Sequence, residues 1–205
     1  MKNIISTSIN QNIIKSAFSY SEFNNHVETL LEKGESTDRK NTENNLGYTR
    51  LNIQRTNRWD KRGKLDEETI QVVKAIETPQ TWLIITEGWC GDSAQVLPFI
   101  NKIAELNSNI SLRIILREEH PEVMDEFLTN GKSRSIPKII ILDSATLNVL
   151  GEWGPRPSEI NKTYLSERVD PSIGGKEASK NLHIWYARDK GKVIQKEFIE
   201  VLKSI

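Results

Sequence analysis

The sequence predicts an α/β protein with a central mixed sheet, helices on its faces and a helical extension ahead of it. Two observations carry the prediction. From Thr81 to Gly154, short apolar runs alternate with 3.6-periodic segments in the order strand, helix, strand, helix, strand, strand. Before Thr81, helix start and stop signals appear without a strand-like run. A chain of 205 residues holds one domain with an addition and buries a substantial core. We therefore expect residues 1–79 to form a helical extension packed on a domain spanning 80–205.

Taken in order, Ser19 and Glu22 have the spacing of a capping box, with Phe18 and Phe23 placed to staple it. Phe23, Val27, Leu30 and Leu31 then share a face, and Gly34 stops the helix. Glu35 to Asn45 is polar and reads as a loop. The next amphipathic segment sets Tyr48, Leu51, Arg55 and Trp59 on one side, while Arg50, Arg58, Lys61, Arg62 and Lys64 make it basic. A solvated face is the expectation there. Asp66 caps a third helix with Ile70, Val73 and Ile76 inward, stopped by Thr78-Pro79.

Trp82 to Thr86 reads as a buried strand, and Cys90 to about Leu106 as a helix kinked by Pro98, which has no N–H to donate. Ile110, Leu112, Ile114 and Leu116 alternate as a strand does. Pro121 opens a helix carrying Val123, Phe127 and Leu128, ended by Gly131. Lys138 to Leu142 is a strand, and the turn Asp143-Ser144-Ala145 leads into its hairpin partner, Thr146 to Trp153. Ser158 to Arg168 and Lys176 to Lys203 complete the chain as helices, the second with Leu182, Trp185, Tyr186, Phe198 and Leu202 inward.

Lys plus Arg and Asp plus Glu balance at 28 each, so no whole-molecule field favours nucleic acid or an anionic membrane. No stretch is long and apolar enough to span a bilayer, and Met1 to Asn10 interrupts its apolar residues too often for a signal-peptide core. A single cysteine forms no intramolecular disulfide, and a free thiol suits a reducing cytoplasm. His26, His120 and His183 are scattered without metal-ligand spacing, so no metal is expected.

The cysteine sits where the apolar strand gives way to a helix, in Trp89-Cys90-Gly91-Asp92-Ser93. A helix N-terminus exposes unpaired N–H groups and partial positive charge, which favour thiolate over thiol. Ser93, three residues on, is placed to donate a hydrogen bond to the sulfur and lower its pKa further. Asp92 opposes both effects, but at its spacing the side chain is expected to point away and to matter less.

This motif at the first strand-to-helix junction, with Pro98 inside the helix, Arg134-Ser135-Ile136-Pro137 before the third strand and Gly154 after the hairpin, resembles the thioredoxin family. The resemblance spans about Thr81 to Gly154 plus a terminal helix. It implies a thioredoxin fold with Cys90 and Ser93 at the catalytic positions and a cis-proline at Pro137 facing the cysteine. It also implies a substrate groove formed by Trp89, Gly91, Asp92, Ile136, Pro137 and Gly154. Arg117 and Arg134 lie at the ligand-binding end of such a sheet and are candidates to hold a glutathione carboxylate.

Two departures from the family bear on function. Ser93 stands where the Cys-x-x-Cys motif has its second cysteine, so Cys90 can attack a disulfide but has no internal thiol to resolve the product. Ile84 stands where the family buries an aspartate that assists the resolving cysteine. The expected function is cytoplasmic monothiol, thioredoxin-like thiol–disulfide exchange. Its partners would be protein thiols and disulfides or glutathione, with glutathione a possible co-substrate, an external resolving thiol and no resident cofactor. One alternative is a non-catalytic protein that uses the groove to bind a partner. Another, suggested by Cys-Gly-Asp-Ser, is glutathione and iron–sulfur binding like a monothiol glutaredoxin, although Glu152-Trp153-Gly154-Pro155 lacks the Gly-Gly segment those proteins carry there.

Overall fold

The computed structural model describes residues 6–38 and 40–205; half of the Met1 to Asn10 stretch read for a signal peptide lies outside the described residues. The sheet is built on β1 (Gln80–Thr86), with β2 (Ile110–Leu116) parallel on one side and β3 (Lys138–Asp143) antiparallel on the other. Strand β4 (Val149–Trp153) pairs antiparallel with β3, giving the order β2-β1-β3-β4. Ile84 is in register with Ile114 on one side and Ile139 on the other. Alternate residues divide between two apolar layers: Trp82, Ile84, Ile114, Ile139 and Ile141 enter one, and Leu83, Ile85, Ile115, Ile140 and Leu142 the other. Covering on both faces is why β1 reads as a continuous apolar run.

The first layer is closed by α4 (Glu67–Lys74), α5 (Gly91–Ala104) and α9 (Lys192–Lys203), through Val73, Phe99, Ile100, Ile103, Phe198 and Leu202. The second is closed by α1 (Gln11–Ser16) and α6 (Pro121–Glu126), through Ile9, Ile13, Val123 and Met124. Between α1 and α2 (Tyr20–Glu32), Phe18 exchanges both backbone hydrogen bonds with Ile114, at 2.9 and 2.8 Å. This single bridge shields part of the open edge of β2. Helix α2 begins with the predicted Ser19–Glu22 capping box. After β4, α7 (Ser158–Val169) and α8 (Gly174–Asp189) form a helical hairpin.

Three elements differ from expectation. Helix α3 (Glu43–Arg62) buries Thr49, Asn52 and Trp59, whereas Tyr48 and Leu51 are 56% and 41% exposed. The inner face is partly polar because it meets polar groups: the Asn52 amide donates to Gly88 O at 3.1 Å, and the Trp59 indole N–H to Gln95 Oε1 at 2.6 Å. Helix α6 ends at Glu126, well before Gly131. The long C-terminal helix is broken in two by left-handed Lys190 and Gly191, with φ of 58° and 80°.

At Gly191 an added Cβ would lie 2.3 Å from the ring of Phe99, a side chain only 1% exposed. Gly191→Ala combines this overlap with a left-handed backbone, so we expect a loss of about 2 kcal/mol in urea unfolding with an unchanged slope. A change within about 0.5 kcal/mol, the range of an ordinary surface substitution, would contradict this placement.

Candidate active site

Cys90 is the N-cap of α5, in extended conformation, with no side-chain capping bond. Its thiol is 7% exposed and donates to Ile136 O at 3.3 Å, across the sheet end from its own helix. Ile136–Pro137 is a cis peptide bond, so the proline loop faces the sulfur. Burial pushes the thiol pKa up to about 11; the Asp92 charge adds to the rise, and hydrogen bonds from Ser93 and the Asp92 backbone oppose it. This reverses the sequence expectation. A helix N-terminus is worth at most about 2 kcal/mol, while full burial of a charge shifts a pKa by as much as about 3–5 units. Burial therefore favours the thiol at neutral pH.

Ser93 is 4% exposed and accepts a hydrogen bond from Thr86 Oγ1 at 2.6 Å, which ties it to the end of β1. The Asp92 side chain enters a buried network. Arg156 donates from Nε to Oδ1 at 3.1 Å and from Nη2 to Oδ2 at 2.5 Å, and the Tyr186 hydroxyl donates to Oδ1 at 2.8 Å. Both ion-pair side chains are 11% exposed. Arg156 also donates to Asn161 Oδ1 at 2.9 Å and stacks 4.5 Å from the centroid of Tyr164, so α7 and α8 are both anchored on the first turn of α5. Even so placed, Asp92 raises the thiol pKa more than the Ser93 hydroxyl lowers it.

Gly91 lies under two helices. A Cβ there would come within 2.8 Å of His183 Cε1 and 3.3 Å of Arg55 Nη1. Burial, helped by Arg55, pulls His183 down to about 4, leaving the ring neutral at pH 7. Because Gln95 Oε1 accepts from the Trp59 indole, the Gln95 amide nitrogen faces His183 Nδ1 at 3.2 Å and donates to it. Gly91 and Asp92 thus meet α3, α7 and α8 instead of lining an open groove.

The other flank holds the remaining candidates. Trp89 is half-buried, with Arg117 5.0 Å from its ring centroid. Arg117 donates to Glu118 Oε1 at 2.6 and 3.0 Å and to Arg134 O at 3.3 Å; Arg134 forks onto Asp125 at 2.6 and 2.5 Å. Exposed pairs of this kind are worth about 0–1 kcal/mol, so an incoming carboxylate can compete with them. Gly154, at φ +123°, lies so close to the proline loop that a Cβ would be 2.3 Å from Pro137 O. The structure therefore links Trp89, Arg117 and Arg134 in one chain of contacts, and Cys90, Ile136, Pro137 and Gly154 in another that follows the proline loop.

Sequence reasoning missed Arg156, Tyr186, His183 and Arg55, which meet α5 only through tertiary packing; Arg156 is 64 positions from Asp92. It also passed over Glu87, whose carboxylate is 1% exposed. Glu87 accepts hydrogen bonds from Thr37 Oγ1 and, at 3.0 Å, from Glu118 N. A charged residue at the end of an otherwise apolar strand was the readable signal. Among the described residues, no group of three or more His, Cys, Asp or Glu side chains is arranged to hold a metal, and no helix is long and apolar enough to cross a membrane.

A thioredoxin family model matches residues 39–170. No curated protein matches. Solved structures that share the fold include the following two. The crystal structure of an HIV epitope-scaffold is 16% identical and covers 95% of this chain and 97% of its own, with a TM-score of 0.60. The crystal structure of PA1234, a protein of unknown function from Pseudomonas aeruginosa, is 18% identical and covers 91% and 98%, with a TM-score of 0.56.

Asp92→Asn removes a charge that raises the Cys90 pKa and strips Arg156 of its counter-ion. We expect iodoacetamide to alkylate Cys90 several-fold faster at fixed neutral pH, while thermal unfolding shows a loss of about 3 kcal/mol. Unchanged alkylation in a folded variant would contradict the electrostatic coupling.

Proposed function

The chain belongs to the thioredoxin family, and from that premise we propose that Cys90 carries out single-cysteine thiol–disulfide exchange. The observation that supports this reading is the placement of the sulfur at the head of α5, against the carbonyl of Ile136 in the cis-proline loop. In the reaction the thiol loses its proton and the thiolate attacks one sulfur of a substrate disulfide. A new S–S bond forms, the substrate S–S bond breaks, and the departing thiolate is protonated. Cys90 is the only cysteine in the sequence, so the mixed disulfide waits for an outside thiol such as glutathione. Arg117 and Arg134 are the groups to receive a carboxylate of glutathione by exchanging partners. A reducing compartment such as the cytoplasm fits a lone thiol.

Burial sets the tempo. A thiol with a pKa of about 11 reacts slowly at neutral pH and faster as pH rises, even though a basic thiolate is intrinsically the stronger nucleophile. The same burial favours a second reading, in which the fold binds a partner without redox chemistry.

Incubation with glutathione disulfide at mildly alkaline pH, followed by intact-mass measurement, separates the two. Exchange predicts one glutathione adduct, absent in Cys90→Ala and released by excess glutathione. It also predicts no catalytic reduction of insulin with thioredoxin reductase. Protein left unmodified after prolonged exposure would eliminate exchange in favour of the binding role.

A further inference from the structure

Cys90 belongs to the second apolar layer, with Ile136 of the proline loop, Val123 and Met124 of α6, and Phe127 just past it. Ile9 and Ile13, 6% and 8% exposed, are part of the same layer, and Ile14 and Ala17 pack against it. All four come from one short segment, residues 6–17, which lies ahead of residues 39–170 matched by the family model. Helix α1 within this segment has six residues, fewer than a helix needs to persist alone in water. The segment is therefore held by its apolar seat and by its two ends.

Those ends are fastened differently. After α1, Phe18 exchanges its two backbone hydrogen bonds with Ile114, and its ring stacks on His26 with centroids 5.0 Å apart. Before α1, the exposed Glu126 carboxylate at the end of α6 gathers the three hydroxyls of Ser6, Thr7 and Ser8. Ser6 Oγ donates to Oε2, while Thr7 Oγ1, Thr7 N at 3.2 Å and Ser8 Oγ at 2.7 Å donate to Oε1. One side chain thus holds this end through hydrogen bonds that all face solvent, where water can replace them.

We propose that residues 6–17 form a strap that shuts the Cys90 layer, and that the strap opens by release of the Glu126 clasp, hinging at Phe18. Closed, it leaves Cys90 7% exposed. Opening withdraws Ile9 and Ile13 from the layer and gives a bulky partner a way to the sulfur. The inference goes beyond the exchange reading: it concerns access to Cys90 and holds whether the thiol attacks a disulfide or the fold only binds a partner.

The test compares the full chain with two variants. Glu126→Ala removes the acceptor; the combined Ser6→Ala, Thr7→Ala and Ser8→Ala variant removes the hydroxyls, leaves α6 untouched and stands even if Glu126→Ala fails to fold. Each protein is labelled at Cys90, the only cysteine, with a bulky fluorescent maleimide and separately with small iodoacetamide. Losing hydrogen bonds to a charged group should speed maleimide labelling at least ~10-fold in both variants, and iodoacetamide labelling less. Amide hydrogen exchange should quicken in residues 6–17 and stay at the wild-type rate across β1 and α5. A change in thiol acidity would instead speed both reagents alike, and general loosening would reach β1 and α5. Maleimide rates equal to wild type, equal acceleration of both reagents, or faster exchange across β1 and α5 would overturn the strap. Both reagents label a thiol without any disulfide, so failure of the exchange reading would leave these outcomes unchanged.

Discussion

In the first turn of α5 the Asp92 carboxylate holds the Arg156 guanidinium on both of its oxygens and the Tyr186 hydroxyl on one. The rest of the site follows from that buried pair. It brings the hairpin of α7 and α8 onto the motif, sets His183 over position 91 and so demands glycine there, and leaves a fixed negative charge beside the sulfur. A pair this buried gains little over an apolar replacement, yet loses several kcal/mol if one partner is removed. Its contribution is geometric: it specifies where the C-terminal helices dock.

Cys90 therefore stands between opposed influences. The head of a helix and the Ser93 hydroxyl favour thiolate; burial and Asp92 favour thiol, and burial is the largest of them. Helices α3 and α8 meet at Gly91 over the start of α5, and α2 and α3 wall a cavity beside it. The sulfur itself lies in the other apolar layer, with Ile136 and residues of α1 and α6. The loop after α2 also brings Thr37 onto Glu87, just past the end of β1.

The sheet was legible because each strand is a short apolar run bounded by turn residues, and β1 is buried on both faces. Cys90, Pro98 and the Ile136–Pro137 loop were legible because each has a local signature. The inner face of α3 was not, since apolar periodicity cannot reveal a face whose buried residues are Thr49 and Asn52. The split between α8 and α9 depends on the Phe99 ring beside Gly191, a contact between distant segments. The sign of the Cys90 shift was missed for the same reason: the helix end is written locally, whereas burial is imposed by segments far along the chain.

The central claim is that tertiary burial, reinforced by Asp92, holds Cys90 as a thiol at neutral pH. Its most direct test is the thiolate ultraviolet absorbance of the wild type, taken as a difference from Cys90→Ala across alkaline pH. The account predicts a midpoint near the value of about 11 set by burial. A midpoint at or below about 8.5, the ordinary cysteine value, would contradict it and return the helix N-terminus to control of the site.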